Sequence, residues 1–107
     1  EVVVSGQGSV PPDVQVGLYR IAQEALNNVV KHANARGAWV HLTWTKGVVQ
    51  VKVGDNGDGF DVNRAPTGSL GMGIMRERAE SIGASLSMTS QPGQGTVVTV
   101  TWRSGQQ

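Results

Sequence analysis

The hydrophobic period switches from helical to alternating near residue 37, and that switch constrains the fold more than any other feature of the sequence. Before it, "VPPDVQVGLYRIAQEALNNVVKHA" places Val14, Leu18, Ile21, Ala22, Ala25, Leu26, Val29 and Val30 on one arc at about 100° per residue. Pro11 and Pro12 suit a first helical turn, and Asp13 sits near the positive end of the helix dipole. After it, "AWVHLTWT" and "VVQVKV" alternate with period two around a Lys46-Gly47 turn, the pattern of a hairpin with one buried face. A chain with both periods needs a helix layer and a sheet layer.

The remaining segments repeat the theme. "EVVVSGQG" reads as a short strand that breaks at Gly6 and Gly8. "GIMRERAESIGA" predicts a second helix, with Ile74, Met75, Arg78, Ala79 and Ile82 at helical spacing and Gly83 as its stop. "SLSMTSQ", a "PGQG" turn and "TVVTVTW" form a closing hairpin. The pattern therefore predicts an α+β fold, a two-layer α/β sandwich whose mixed, mostly antiparallel sheet is covered on one face by helices. Residues 1–103 are expected to form a single domain and 104–107 a flexible tail. Trp39 and Trp44 differ in parity, so they should face opposite sides of the sheet.

Composition removes several classes of function. The 107 residues carry a net charge of +1 with the basic residues scattered, so there is no footprint for nucleic acid. With no cysteine there are no disulfides or thiolate metal sites, which fits a reducing, cytoplasmic setting. No apolar run approaches the roughly 20 residues that span a bilayer, and no signal peptide is evident. The first residue is Glu, not Met, so a piece of a longer polypeptide is expected.

One segment stands out chemically. "KVGDNGDGFD" packs three aspartates and three glycines behind a strand. An EF-hand register that puts Asp58 and Gly59 at positions five and six puts Gly54 at one and Ala65 at twelve, where no side-chain oxygen exists. An EF-hand is excluded. A looser calcium turn, a plain hairpin corner and a ligand pocket all stay open on this segment alone. On the first helix, Glu24, Asn28 and Lys31 form a polar stripe about 60° wide beside the apolar arc. Asn28 lies nearest the seam and should be half-buried.

The order of these segments resembles a known family. A Glu-x-x-x-Asn-x-x-Lys helix, then Asp55-Asn56-Gly57-Asp58-Gly59, then "GSLGMGIMRERA", then "GQGT" opening a strand, is similar to the N box and three glycine boxes of the Bergerat-fold (GHKL) superfamily of ATPases and kinases. That superfamily includes gyrase, the Hsp90 chaperones, MutL and histidine kinases. "LYRIAQEALNNVVKHA" and "GMGIMRERAESIGA" look most like the ATP-binding catalytic domain of two-component sensor histidine kinases of the NarX/DesK/LiaS type. The resemblance runs from about Val10 to Trp102.

The resemblance implies ATP and Mg²⁺ as ligands and assigns residues to them. Asp55 would accept a hydrogen from the adenine amino group, while Gly57 and Gly59 let backbone pass against the base. Gly71, Met72 and Gly73 open the second helix, whose free N–H groups would face the triphosphate. Asn28 would give Mg²⁺ an amide oxygen, Lys31 a point charge for the phosphates, and His32 a packed or phosphate-facing imidazole. Thr96 would support the adenine-binding aspartate. Glu24 is the candidate catalytic residue, with general-base, metal-shell and water-mediated roles all open.

A histidine kinase also needs an acceptor histidine. His32 is followed by Ala and His41 by Leu, and neither resembles the acceptor, which in the family sits on a separate dimerisation helix with an acidic neighbour. The acceptor is expected upstream of residue 1. The implied function is transfer of the γ-phosphate of ATP to that histidine, in a homodimeric parent that serves a response regulator. The alternatives are an anti-sigma-factor serine kinase of the same fold and a nucleotide-binding module that has lost catalysis.

Overall fold

Alternating β-branched residues build the sheet, and a two-residue turn sets its register. In the computed structural model, which describes residues 2–6, 8–28, 37–57 and 72–104, β2 (Ala38–Thr45) and β3 (Val48–Asp55) pair from Thr45 opposite Val48 to Ala38 opposite Asp55. Lys46 and Gly47, with φ of 33° and 80°, form the corner whose twist suits such a hairpin. β5 (Thr96–Arg103) lies antiparallel on the other side of β3, and β4 (Ser85–Ser90) closes that edge. β1 (Val2–Ser5) adds to β2 in parallel, giving the order β1-β2-β3-β5-β4. That parallel pair needs a crossover, and α1 (Pro12–Asn28) lies within it.

Period two sends one side of each strand to the core. Val49, Val51 and Val53 of β3 and Val98 and Val100 of β5 are buried, with Leu42, Trp44, Leu86 and Met88 packed around them. Against this face α1 buries Val14, Leu18, Ile21 and Ala25 of the expected arc, with Ala22 and Leu26 half-buried; Val29 and Val30 lie outside the described residues. Gly17 is buried too, because helix α2 (Met72–Ser81) comes close: a Cβ there would lie 2.8 Å from Ile82 Cγ2. α2 contributes Met75 and Ala79, one turn apart and fully buried.

The second helix departs from expectation at Ile74. That residue is 53% exposed, because Met75 and Ala79 take the buried positions and Ile74 stands about 100° round the helix from Met75. Gly83 does stop the helix. Its φ is +73°, its N–H donates to Glu80 O (3.1 Å), and Ala84 N–H donates to Ala79 O (2.8 Å), which together satisfy the last carbonyls.

The two tryptophans of β2 face opposite sides, as parity predicts. Trp44 lies on the helix side. Trp39 lies on the outer side, over Gly54 of β3, where an added Cβ would strike its ring, and it touches the His41 ring at 4.4 Å. α1 packs chiefly over β3 and β5. The β1–β2 edge instead borders an apolar cavity of about 410 Å³, lined by Val2, Val4, Leu18, Tyr19, Leu42 and Trp44 among others. Among the described residues no helix is long and apolar enough to cross a membrane.

Candidate functional site

The alternation that buries Val49, Val51 and Val53 carries on to the last residue of β3. Asp55 therefore points to the core side, and it is 7% exposed. Cross-strand register places Ala38 on one side of it and Thr96 on the other, with Ser90 of β4 beyond Thr96. One row across four strands thus reads Ala38, Asp55, Thr96, Ser90. It is small and polar where the rows before it are branched and apolar.

A buried carboxylate needs hydrogen bonds, and the chain supplies one locally. Gly57 N–H donates to Asp55 Oδ1 at 2.7 Å, a tight turn that ends the strand. The carboxylate has further lone pairs with which to accept from a ligand. Asn56 fixes the same corner from outside. Its N–H donates to Gly37 O (3.2 Å), and its Oδ1 accepts from Gly37 N–H (2.9 Å), so the end of β3 is tied to the start of β2.

From the other hairpin comes Gly95, with φ of +81°, buried against the Asp55 carbonyl. Any Cβ at position 95 would collide with that oxygen, so glycine is required both by conformation and by space. Thr96 Oγ1 lies 2.8 Å from Ser90 Oγ, and Ser90 Oγ–H donates to Gly95 O at 3.1 Å.

The helices add the remaining candidates. Glu24 and Asn28 stand one turn apart near the end of α1, both half-buried, as expected for Asn28. Met72 and Gly73 are the first residues of α2; Gly73 is exposed, and among the described residues nothing lies within 4 Å of a Cβ built there. Lys31, His32, Gly59 and Gly71 lie outside the described residues. Asp55, Gly57 and Thr96 are thus joined at one corner of the sheet, on the face that α1 and α2 cover. His41 lies on the opposite face, against Trp39.

Sequence patterning does not single out three residues of this corner: Ser90, Asn56 and, in its packing role, Gly95. Ser90 carries a signal all the same. It follows Leu86 and Met88 at period two, so it is a hydroxyl in line with apolar core residues.

Among the described residues no group of three or more His, Cys, Asp or Glu could cage a metal. Mg²⁺ does not need one. It retains waters and takes substrate phosphate oxygens, so a single amide oxygen such as that of Asn28 fits its chemistry.

Comparison with known proteins identifies the family. Residues 13–106 match the family model for histidine kinase-, DNA gyrase B- and HSP90-like ATPases. The chain is 40% identical over 94 residues to the nitrate/nitrite sensor protein NarQ of Escherichia coli, covering 87% of this chain and 17% of NarQ. It is 37% identical over 91 residues to the sensor protein VraS of Staphylococcus haemolyticus, covering 85% of this chain and 26% of VraS. The match therefore spans only 17% to 26% of the length of these relatives. The solved blue-light activated histidine kinase of Erythrobacter litoralis superposes over 100% of this chain and 36% of its own, with a TM-score of 0.79 and 28% identity. With nearly its whole length matched, the chain belongs to the family of histidine kinase-, DNA gyrase B- and HSP90-like ATPases.

Proposed function

We propose that this chain binds Mg-ATP as the nucleotide-binding part of a sensor histidine kinase and presents the γ-phosphoryl group to a histidine on a separate helix. The observation that carries the reading is the buried carboxylate of Asp55, held by Gly57 and facing the helix layer beside Thr96. Such a carboxylate accepts a hydrogen from the exocyclic amino group of adenine. Family membership and the sensor-protein relatives support the same reading.

In this reading Gly57 brings backbone against the base, with Gly59 beyond it. The start of α2, at Gly71, Met72 and Gly73, offers N–H groups to the phosphates. Lys31 and His32 would add to the phosphate-binding side. Asn28 would hold Mg²⁺, which when bound neutralises charge on the phosphate oxygens. Glu24, one turn before Asn28, would take the acceptor's proton or order a water. In the transfer, the bond from the γ-phosphorus to the bridging oxygen breaks, ADP keeps that electron pair, and a P–N bond forms on the acceptor imidazole. The chain's part is positioning and electrostatics rather than covalent chemistry.

The position of His41, on the sheet face away from Asp55, supports an acceptor on another segment. The upstream dimerisation helices of the same polypeptide are the proposed partner, in a homodimeric parent on the cytoplasmic side that passes phosphate to a response regulator. Calorimetry with a non-hydrolysable ATP analogue and Mg²⁺ tests the core of this. The unaltered chain should bind, and Asp55→Ala should bind about 100-fold more weakly, as expected when a hydrogen bond to a charged group is lost. Equal binding by both would remove Asp55 from the adenine site. No binding by either would sink the nucleotide reading itself.

A further inference from the structure

On the face of the sheet away from the helices, one glycine is hidden where its neighbours are not. Lys52, Ser85, Ser87 and Thr89 are exposed there, yet Gly54, two residues on from Lys52, is buried. With no side chain of its own, Gly54 must be covered by something else. Trp39, its direct partner across β2 and β3, covers it: a Cβ built on Gly54 would collide with Cζ2, Cε2 and Cη2 of the indole. The His41 ring, 4.4 Å from the indole between centroids, helps to hold it there. The pairing is reciprocal. A side chain at 54 would leave the ring no place, and without the ring the glycine backbone would be bare.

This glycine immediately precedes Asp55. A glycine inside a strand adds backbone freedom and packs nothing, so its freedom would pass directly to the carboxylate. An aromatic ring laid over a glycine from the neighbouring strand removes that freedom. We infer that Trp39 is a positioning residue for the adenine-binding carboxylate, clamping the Gly54 backbone from the outer face so that Asp55 stays aimed inward. The inference rests on the adenine reading of Asp55. Trp39 itself never meets the nucleotide, since the sheet lies between them. What it fixes is the strand end from which Asp55 accepts the Gly57 N–H at 2.7 Å.

A double-mutant cycle separates this role from plain stabilisation, because residues that act through one another do not add. The Kd of the adenosine β,γ-imido triphosphate with Mg²⁺ is measured for Trp39→Ala and Trp39→Phe, each with Asp55 present and in Asp55→Ala. With Asp55 present, Trp39→Ala should weaken binding about tenfold, within the range of such couplings. Trp39→Phe, which keeps a ring over Gly54, should restore most of it. In Asp55→Ala the same Trp39→Ala change should alter binding less than about twofold. An equal loss in both backgrounds, or no loss in either, overturns the inference. Should Trp39→Ala fail to fold, Gly54→Ala displaces the ring from the other side, and it must weaken binding with the same dependence on Asp55. Hydrogen exchange of the Gly57 amide provides a readout without nucleotide. It should quicken in Trp39→Ala but not in Val49→Ala, a variant of the far end of β3, and unchanged exchange in Trp39→Ala overturns the clamp. Failure of the unaltered chain to bind the nucleotide, with Gly57 exchange responding as expected, would instead refute the adenine reading and leave Trp39 holding a carboxylate of another use.

Discussion

The two ends of the sheet are made by the same strands on the same face, yet they share almost no chemistry. At one end the cross-strand row is Trp44, Val49, Trp102, two indoles flanking a valine that is 1% exposed. At the other end it is Ala38, Asp55, Thr96, Ser90. The backbone ladder is continuous between them, so hydrogen bonding in the sheet does not distinguish the two. Side-chain volume does. Large apolar groups line the first end, beside the apolar cavity, and the apolar burial there and in the middle rows leaves the second end free to remain small and polar. The proposed site has its place because the core does not need that corner.

If this division is right, substitutions at the two ends should separate stability from binding. The largest effect is expected at Gly95, where the ends of both hairpins meet. Gly95→Ala sets a Cβ against the Asp55 carbonyl, and a backbone oxygen cannot swing aside as a side chain can. Left-handed strain of about 1–2 kcal/mol adds to overpacking of about 1–3 kcal/mol. Urea denaturation should show a loss of more than about 2 kcal/mol on these figures, with nucleotide binding abolished. Gly93 supplies the control, since it has the same φ of +81° but open space around it. Gly93→Ala should cost only the strain. Equal losses at 93 and 95 would mean that the contact with Asp55 does not matter.

At the apolar end the outcome should reverse. Val49→Ala removes buried methyl groups from that row, costing about 2 kcal/mol. Its effect on the Kd for the ATP analogue should stay within about twofold, because distant independent sites add rather than couple. A tenfold change in Kd would show the two ends to be one cooperative unit, and the comparison would fail.

How much of each end is legible in the sequence follows from where its information lies. The helices and hairpins are local: period, parity and turn residues are enough to place Val14 to Ala25, the Lys46-Gly47 corner and the opposed tryptophans. Ile74 is misplaced by periodicity because an apolar residue in a short helix fits two faces, and packing against the sheet chooses Met75 instead. The parallel partner of β1 is tertiary, and no local signal gives it. In the site, the segment that holds Asp55 and Gly57 stands out by composition, a carboxylate and glycines at a strand end, and the resemblance to the family rather than composition gives those two residues a role. Ser90, Asn56 and Gly95 do not, because their chemistry is relational. Each acts through a backbone group or hydroxyl that another strand brings near.

Asn56 sharpens the comparison at its smallest scale. Its side chain is exposed and accepts from Gly37 N–H, so in stability it is an ordinary surface hydrogen bond. Asn56→Ala should therefore cost only about 0.5–1.5 kcal/mol in urea. Its position makes it more than that for binding. Together with the Asn56 N–H bond to Gly37 O, the side chain closes the last rung beyond the Ala38–Asp55 pair. Opening that rung lets the end of β3 fray, and the turn that presents Gly57 to Asp55 frays with it. Nucleotide affinity should thus fall by about fivefold to tenfold, roughly 1–1.4 kcal/mol, while Val49→Ala, with a larger loss of stability, leaves it unchanged. A small destabilisation that weakens binding, beside a larger one that does not, is the pattern that only a division of labour between the two ends produces. If binding simply followed stability across Asn56→Ala, Val49→Ala and Gly95→Ala, the site would be an ordinary part of one core.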